Sequence, residues 1–159
     1  MSRKILLLSI HPEHAKNIFD GIKTVELRRT CPRLSKYDQV LVYVSSPTKA
    51  LVGAFEVKNV IEDKPDKLWD RVQSYAAITK KAFSDYYTNA EKGYGIVINK
   101  AWRLKQSVPL DNLKKRLPGF HPPQGYRYFN NDDIQRIGVF SCGQMMSKCL
   151  NTISVATNF

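Results

Sequence analysis

A compact apolar run, Lys4 to Ile10, stops at His11-Pro12, gives way to a short amphipathic pattern, and is followed by a strand-like segment from Lys23 to Arg29. This strand–helix–strand opening constrains the fold more than any other feature of the chain. The first run has the length and composition of a buried strand. Pro12 suits the first turn of a helix. Ala15, Ile18 and Phe19 then fall on one helical face, and Gly21 is placed to end the helix as a C-cap. In Lys23–Arg29 the side chains alternate, Val25 and Leu27 to one side, Thr24, Glu26 and Arg28 to the other. One face is therefore core. The other is either a solvated edge or the wall of a polar site.

The remaining chain repeats the theme of short strands separated by helices. Leu41 to Val44 reads as a third strand, Ser45-Ser46-Pro47 as a turn, and Ala50 to Ile61 as a long fourth strand with Gly53 at a bulge or bend. Asp63 to Lys92 is helical in character and nearly charge-neutral, with Thr79 as an N-cap and Trp69 in its core. Gly93-Tyr94-Gly95 punctuates. Ile96 to Leu104 is a further strand, Pro109 to Leu117 a short helix ended by Pro118-Gly119, and His121 to Gly125 a rigid loop leading into the aromatic strand Tyr126–Phe129. There is no regular βαβ alternation, which disfavours a doubly wound parallel sheet. The expected class is α+β: a small β-barrel or curled sheet decorated by helices, with a helical insert around residues 63–92. A chain of 159 residues fits one domain, expected over 1–140, with a low-charge tail over 141–159 that packs loosely.

Charge bears on the partner. The net charge is +11, an excess that favours an anionic partner. Its distribution is uneven. Residues 3–36 carry Arg3, Lys4, Lys16, Lys23, Arg28, Arg29, Arg33 and Lys36 against three acids, and residues 100–116 carry six cations, Arg103 and Lys105 among them, against Asp111 alone. If the two blocks share a face they form a stripe for phosphates; taken singly, each is an ordinary solvated surface. Trp102, Tyr126, Tyr128 and Phe129 lie beside them and are candidates to stack on bases. Three cysteines, Cys31, Cys142 and Cys149, lack metal-finger spacing and do not form an even set, which fits a reducing, cytoplasmic setting. No segment approaches the length of a membrane helix, and no metal or cofactor is expected. His11 and His14 lie three apart but lack a third ligand at matching spacing, so His14 reads as a surface residue. Cys31 beside Arg29 and Arg33 reads as a small buried residue at a strand end rather than a reactive thiol.

Glu26 is the pivotal residue. Flanked by cations, it is held ionised and can accept from a base amine or serve as a general base. The alternative is a structural ion pair with Arg28 or a lysine of a neighbouring strand.

Gly21-x-Lys23-x-x-Glu26-x-Arg28, preceded by Ser9-Ile10-His11-Pro12 and a short helix, resembles the signature of the ASCH domain family of the PUA-like superfamily. Pro122-Pro123-Gln124-Gly125-Tyr126-Arg127-Tyr128 is similar to a segment of longer bacterial members. The resemblance, over about residues 4–130, implies a PUA-like β-barrel with a cleft beside the signature strand, and RNA or another nucleic acid as partner. Some small members are amidohydrolases of acetylated cytidine that use a lysine and a hydroxyl residue three positions on. Lys23 matches that lysine, but Glu26 stands at the hydroxyl position. Other members are ribonucleases.

The leading expectation is thus an RNA-binding domain whose basic cleft accepts an unpaired or modified nucleotide. Lys23, Glu26 and Arg28 contact it directly, Tyr126 and Tyr128 stack or wall the cleft, and Arg29, Arg103, Lys105 and Arg127 add contacts. The rival is a hydrolase of RNA or a modified nucleoside with Lys23 and Glu26 as the acid–base pair. A protein-interaction module would have no enclosed cleft at Glu26. Oligomeric state is not legible in the sequence.

Overall fold

The computed structural model describes residues 2–138; the expectation of a loose tail over 141–159 lies outside them. The elements are β1 (Ile5–Ile10), α1 (Pro12–Phe19), β2 (Val25–Arg28), β3 (Gln39–Val44), β4 (Ala50–Asp63), α2 (Pro65–Val72), α3 (Lys80–Tyr86), β5 (Gly93–Pro109), α4 (Leu110–Arg116), β6 (Tyr126–Phe129) and α5 (Asn131–Ile137). This is a mixed α+β architecture around one six-stranded sheet of order β2-β5-β4-β3-β1-β6. Only β1 and β3 run parallel; the other pairings are antiparallel.

The barrel expectation is met only as far as a sheet. The ladder is open, with β2 and β6 as its two edges. A side chain spans the gap that the ladder leaves. Arg28 of β2 donates to the carbonyls of Ser9, in β1, and Gly125, just before β6. The two ends of the sheet thus approach within an arginine's reach without pairing.

Both faces of the sheet are covered, which is why β1 reads as a continuous apolar run. Leu6, Leu8 and Ile10 pack with Val40, Val42, Phe55 and the Ala15–Ile18 face of α1. On the opposite face Leu7, Leu41 and Ala54 meet Leu113 of α4 and Ile134 and Ile137 of α5. The insert makes a third cluster, in which Leu68, Val72, Phe83 and Tyr87 cover Val25 and Leu27 of β2. Thr79 caps α3 by accepting from the Ala82 N–H, as expected.

Two glycines show how closely these layers approach. The β4–β5 register shifts between Leu51 and Gly53, where a Cβ on Gly53 would stand 2.4 Å from the Trp102 carbonyl and 2.6 Å from the Phe19 ring. The bend at Gly53 thus brings α1 down onto the hairpin. Gly93 and Gly95, read from sequence as punctuation, lie inside β5. A Cβ on Gly93 would meet Tyr87 at 2.6 Å and Leu68 at 2.7 Å, so this glycine admits the helical insert. Helix α5 was not anticipated. Its signal is the reciprocal capping box of Asn130 and Asp133, a spacing that marks a helix start. Among the described residues no helix is long and apolar enough to cross a membrane.

Candidate functional site

The C-terminal ends of the parallel strands β1 and β3 open onto a cleft of about 590 Å³. Ser9, Ile10 and Ser45 form its floor, and His11 and His14 enter from the start of α1. Lys23 and the β2 residues Glu26, Leu27 and Arg28 make one wall. Tyr86 and Ala82 of α3 and the loop residues Pro123 and Gln124 close the others.

The signature wall is built by a change of backbone geometry. After α1 the chain turns through Gly21 at φ +76°, and the Ile22 and Lys23 N–H groups both donate to the Asn17 carbonyl. Strand alternation therefore begins only at Val25. Lys23, which strict alternation from residue 23 would place beside Val25 and Leu27, instead turns toward Glu26. Its ammonium donates to the Ala76 carbonyl at 2.7 Å and lies 3.8 Å from Glu26 Oε2. Arg28 Nη1 lies 3.6 Å from Glu26 Oε1. The Thr24 and Val25 N–H groups donate to the Tyr75 carbonyl, so the connector between α2 and α3 covers the outer edge of β2.

Lys23 and Glu26 are 2% and 5% exposed, values that rule out a solvated surface pair. Taking such charges out of water costs several kcal/mol per ion unless each is compensated. Lys23 is compensated by a carbonyl and a carboxylate, and Arg28 by two carbonyls. Burial pushes the Lys23 pKa below its ordinary value, against the opposing pull of Glu26. Both Glu26 contacts are longer than a hydrogen bond. Its oxygens sit between two cations and retain capacity to accept from a third partner.

His14 corrects the expectation of a surface histidine. It is half-buried in the cleft wall, and its Nδ1 is buried with no hydrogen-bond partner among the described residues. Burial, then the nearby Lys23 charge, lowers its pKa, which disfavours the charged ring. His11 Nδ1 faces Ser45 Oγ at 3.4 Å. The first turn of α1 opens here with no side-chain cap, leaving N–H groups that favour an anion. Ser9 Oγ donates to the Pro123 carbonyl at 2.7 Å and ties the loop to the floor.

The other candidates are dispersed. Arg29 donates to the Tyr86 carbonyl and sits at the rim. Arg103 lies over the Phe19 ring and 4.0 Å from Asp20, and Lys105 is exposed farther along β5; neither lines the cleft. Arg127 points to the opposite face of the sheet, over Phe120 and Phe129. Tyr126 and Tyr128 are exposed on β6 but do not line the cleft, whose wall there is Pro123 and Gln124. Phe129 is core and Trp102 packs against that core, so neither is a stacking surface. Trp69 is partly buried against the insert cluster. Burial raises the Cys31 pKa to about 11, against the lowering effect of Arg28, as suits an unreactive thiol. Sequence reasoning passed over His14, Ser9, Ser45 and Tyr86 as site residues. The first three flank the His11-Pro12 segment or end β3, where parallel strands deliver ligands. Tyr86 carried no signal, because only the packing of α3 brings it there.

The chain belongs to the ASCH domain family, whose profile matches residues 8–103, more than half of its length. It is similar to the ASCH domain-containing ribonuclease of Zymomonas mobilis, with 27% identity over 135 residues, 85% of this chain and 90% of that protein. The crystal structure of ASCH from Zymomonas mobilis superimposes with a TM-score of 0.81 over 87% of this chain and 96% of that one. A segment of the large ribosomal subunit protein uL22 of Ureaplasma parvum is 32% identical over 118 residues, 72% of this chain but 38% of the ribosomal protein. The N-terminal domain of Staphylothermus marinus McrB shares the fold alone, at a TM-score of 0.54 and 10% identity.

Proposed function

We propose that this protein acts on single-stranded RNA and seats one unpaired nucleotide in the cleft between β2, α1 and the Pro123–Gln124 loop. The observation that carries this reading is the buried Lys23–Glu26–Arg28 constellation facing a cleft. Two cations and one carboxylate give that wall a net positive charge, which suits one phosphate. The uncapped first turn of α1 adds donors. Glu26, with no hydrogen bond of ordinary length among the described residues, accepts N–H donors from a base edge, the pairing that carboxylates make with an exocyclic amine. The relative named as a ribonuclease, aligned over nine-tenths of its length, supports RNA as the polymer.

A second reading, cleavage of the bound strand, is favoured by the Glu26 carboxylate and the Lys23 ammonium lying 3.8 Å apart on the cleft wall. In that reading Glu26 takes the proton of a ribose 2′-hydroxyl. The 2′-oxygen bonds to phosphorus, the bond to the 5′-oxygen breaks, and Lys23, whose proton is loosened by burial, protonates the leaving oxygen. The product is a 2′,3′-cyclic phosphate. General acid–base participation of this kind contributes on the order of 10²–10⁴-fold each.

The test uses labelled single-stranded RNA with the full chain, read both by anisotropy and by gel. Affinity is expected to fall about tenfold or more from low to physiological salt. It is also expected to fall in Glu26→Gln and Lys23→Met variants that remain folded. Unchanged affinity in both variants would overturn the reading. Cyclic-phosphate product, absent with RNA carrying a single 2′-deoxyribose at the cut, would select cleavage over binding alone.

A further inference from the structure

The edge strand β6 presents what a soluble protein ordinarily hides. Tyr126 and Tyr128 are 42% and 46% exposed, in edge-to-face contact with ring centroids 5.7 Å apart and planes at 77°. They follow directly on the cleft wall. Gln124 lines the cleft, Gly125 is held by Arg28, and the strand then runs Tyr126, Arg127, Tyr128. Strand alternation sends Arg127 to the far face and leaves both tyrosines on one side. From Gln124 to Tyr128 is about 13 Å at the usual rise.

Cations lie across the sheet from the far end of this track, where the Tyr37 N–H donates to the Val57 carbonyl of β4. Asp38 accepts from the Lys4 N–H and the Ser35 N–H. This pins the preceding loop against the start of β1, beside which Tyr128 runs in register with Leu6. On that loop the exposed Tyr37 ring carries the Arg3 guanidinium at 5.3 Å and the Lys36 ammonium at 4.9 Å. Lys4 donates to the Arg33 carbonyl, which brings Arg33 to the same corner. The only acid in this group, Asp38, is buried and hydrogen-bonded.

We propose that β6 is the continuation of the substrate path: the nucleotides flanking the one in the cleft stack on Tyr126 and Tyr128, and the next phosphates meet Arg3, Lys36 and Arg33. The inference rests on the cleft reading above and deepens it. The ligand is then an oligonucleotide of at least three residues, not a free nucleoside. Exposed aromatic rings beside cations, continuous with a cleft, match the stacking platforms of proteins that bind single strands. Arg3 and Lys36 are held over Tyr37 rather than free, which orders them for phosphate contact.

The experiment compares 2′-fluoro RNA of one, two, three and five residues of mixed sequence, a backbone that cannot cleave through its own 2′-hydroxyl. Competition against a labelled pentamer is measured for wild type, Tyr126→Ala/Tyr128→Ala and Glu26→Gln, with the melting midpoint of each. Affinity is expected to rise from one to three residues by about tenfold or more per stacked base. The tyrosine variant should lose that rise while binding the mononucleotide as wild type does, and Glu26→Gln should weaken every length. If length brings no gain, or the tyrosine variant keeps it, the path is refuted while the cleft reading stands on its Glu26→Gln result. If the tyrosine variant loses binding but Glu26→Gln does not, the cleft reading fails and the path falls with it. If the tyrosine variant instead changes the oligomeric state of the RNA-free protein in sedimentation, β6 is a self-association edge and the proposal is overturned.

Discussion

The two edge strands of the sheet, β2 and β6, are each four residues long, and each inverts the usual rule of burial. β2 hides charges: Glu26 is buried, with Lys23 just before it, and Arg28 is mostly covered. β6 exposes aromatics. The first inversion is stabilised inside the protein by the carbonyls of Ala76, Ser9 and Gly125. Among the described residues the second has no such partner beyond the contact of the two rings. A buried charge cluster can belong to the scaffold or the site, whereas an exposed aromatic pair gains little until something covers it. The comparison teaches that removing residues from β2 should change both stability and binding, while removing them from β6 should change binding alone.

The largest effect is expected at Arg28. It joins the two edges, so Arg28→Met should lower unfolding free energy by about 3–5 kcal/mol, as breaking one side of a buried charged network does, measured by urea denaturation. Arg28→Lys, which keeps charge but cannot reach two carbonyls in a fork, should lose about half as much. A loss under ~1 kcal/mol in Arg28→Met would show that the edges do not need the clasp.

Next come Lys23 and Glu26 together. Single changes strand a buried charge and should cost about 2–4 kcal/mol. The double change Lys23→Met/Glu26→Gln should recover stability to within about 1 kcal/mol of wild type while RNA affinity stays lost. Recovery of both would mark the pair as scaffold only.

On β6, Tyr126→Ala/Tyr128→Ala should move stability by under ~1 kcal/mol, since nearly half of each residue is already solvated. A larger loss in thermal melting would make these tyrosines structural and erase the contrast between the edges.

The smallest effect is a pH signature. His14 has its pKa lowered by burial and then by Lys23. Below pH 6.5 the unfolded chain takes up this proton before the folded one does. Stability held above 6.5 is therefore lost as pH falls from 6.5 toward the lowered folded value. His14→Phe should flatten that part of the stability profile. An unchanged profile would show that His14 titrates as freely folded as unfolded.

The existence and order of the strands, the helical insert and the one polar face of β2 were legible from alternation and capping residues, but strand limits were not: β5 runs from Gly93 to Pro109, well past the expected Ile96–Leu104. The pairing of Lys23 with Glu26 was legible from the family signature and not from strand alternation, which puts the two on opposite faces. It depends on the Asn17-bonded turn that delays strand alternation until Val25. Aromatics near the basic blocks suggested stacking, but the pleat decides which of them face water. The same alternation that exposes Tyr126 and Tyr128 sends Arg127 and Phe129 to the α4–α5 side. The basic block 100–116 looked equivalent to block 3–36 by charge count, yet Arg103 sits at the end of α1, and Arg116 of α4 donates to the Ile137 carbonyl of α5. Nearest-neighbour patterns carry no information about such long-range placement.

The central claim, that the β2 cleft and not the second basic block receives the nucleotide, is tested most directly by titrating isotope-labelled protein with a nucleoside monophosphate and following backbone amide resonances. The account predicts shifts concentrated at Ser9–His14, Lys23–Arg28 and Gln124–Gly125, with Lys100–Arg116 unmoved. Shifts confined to Lys100–Arg116, or none at millimolar ligand, would contradict it.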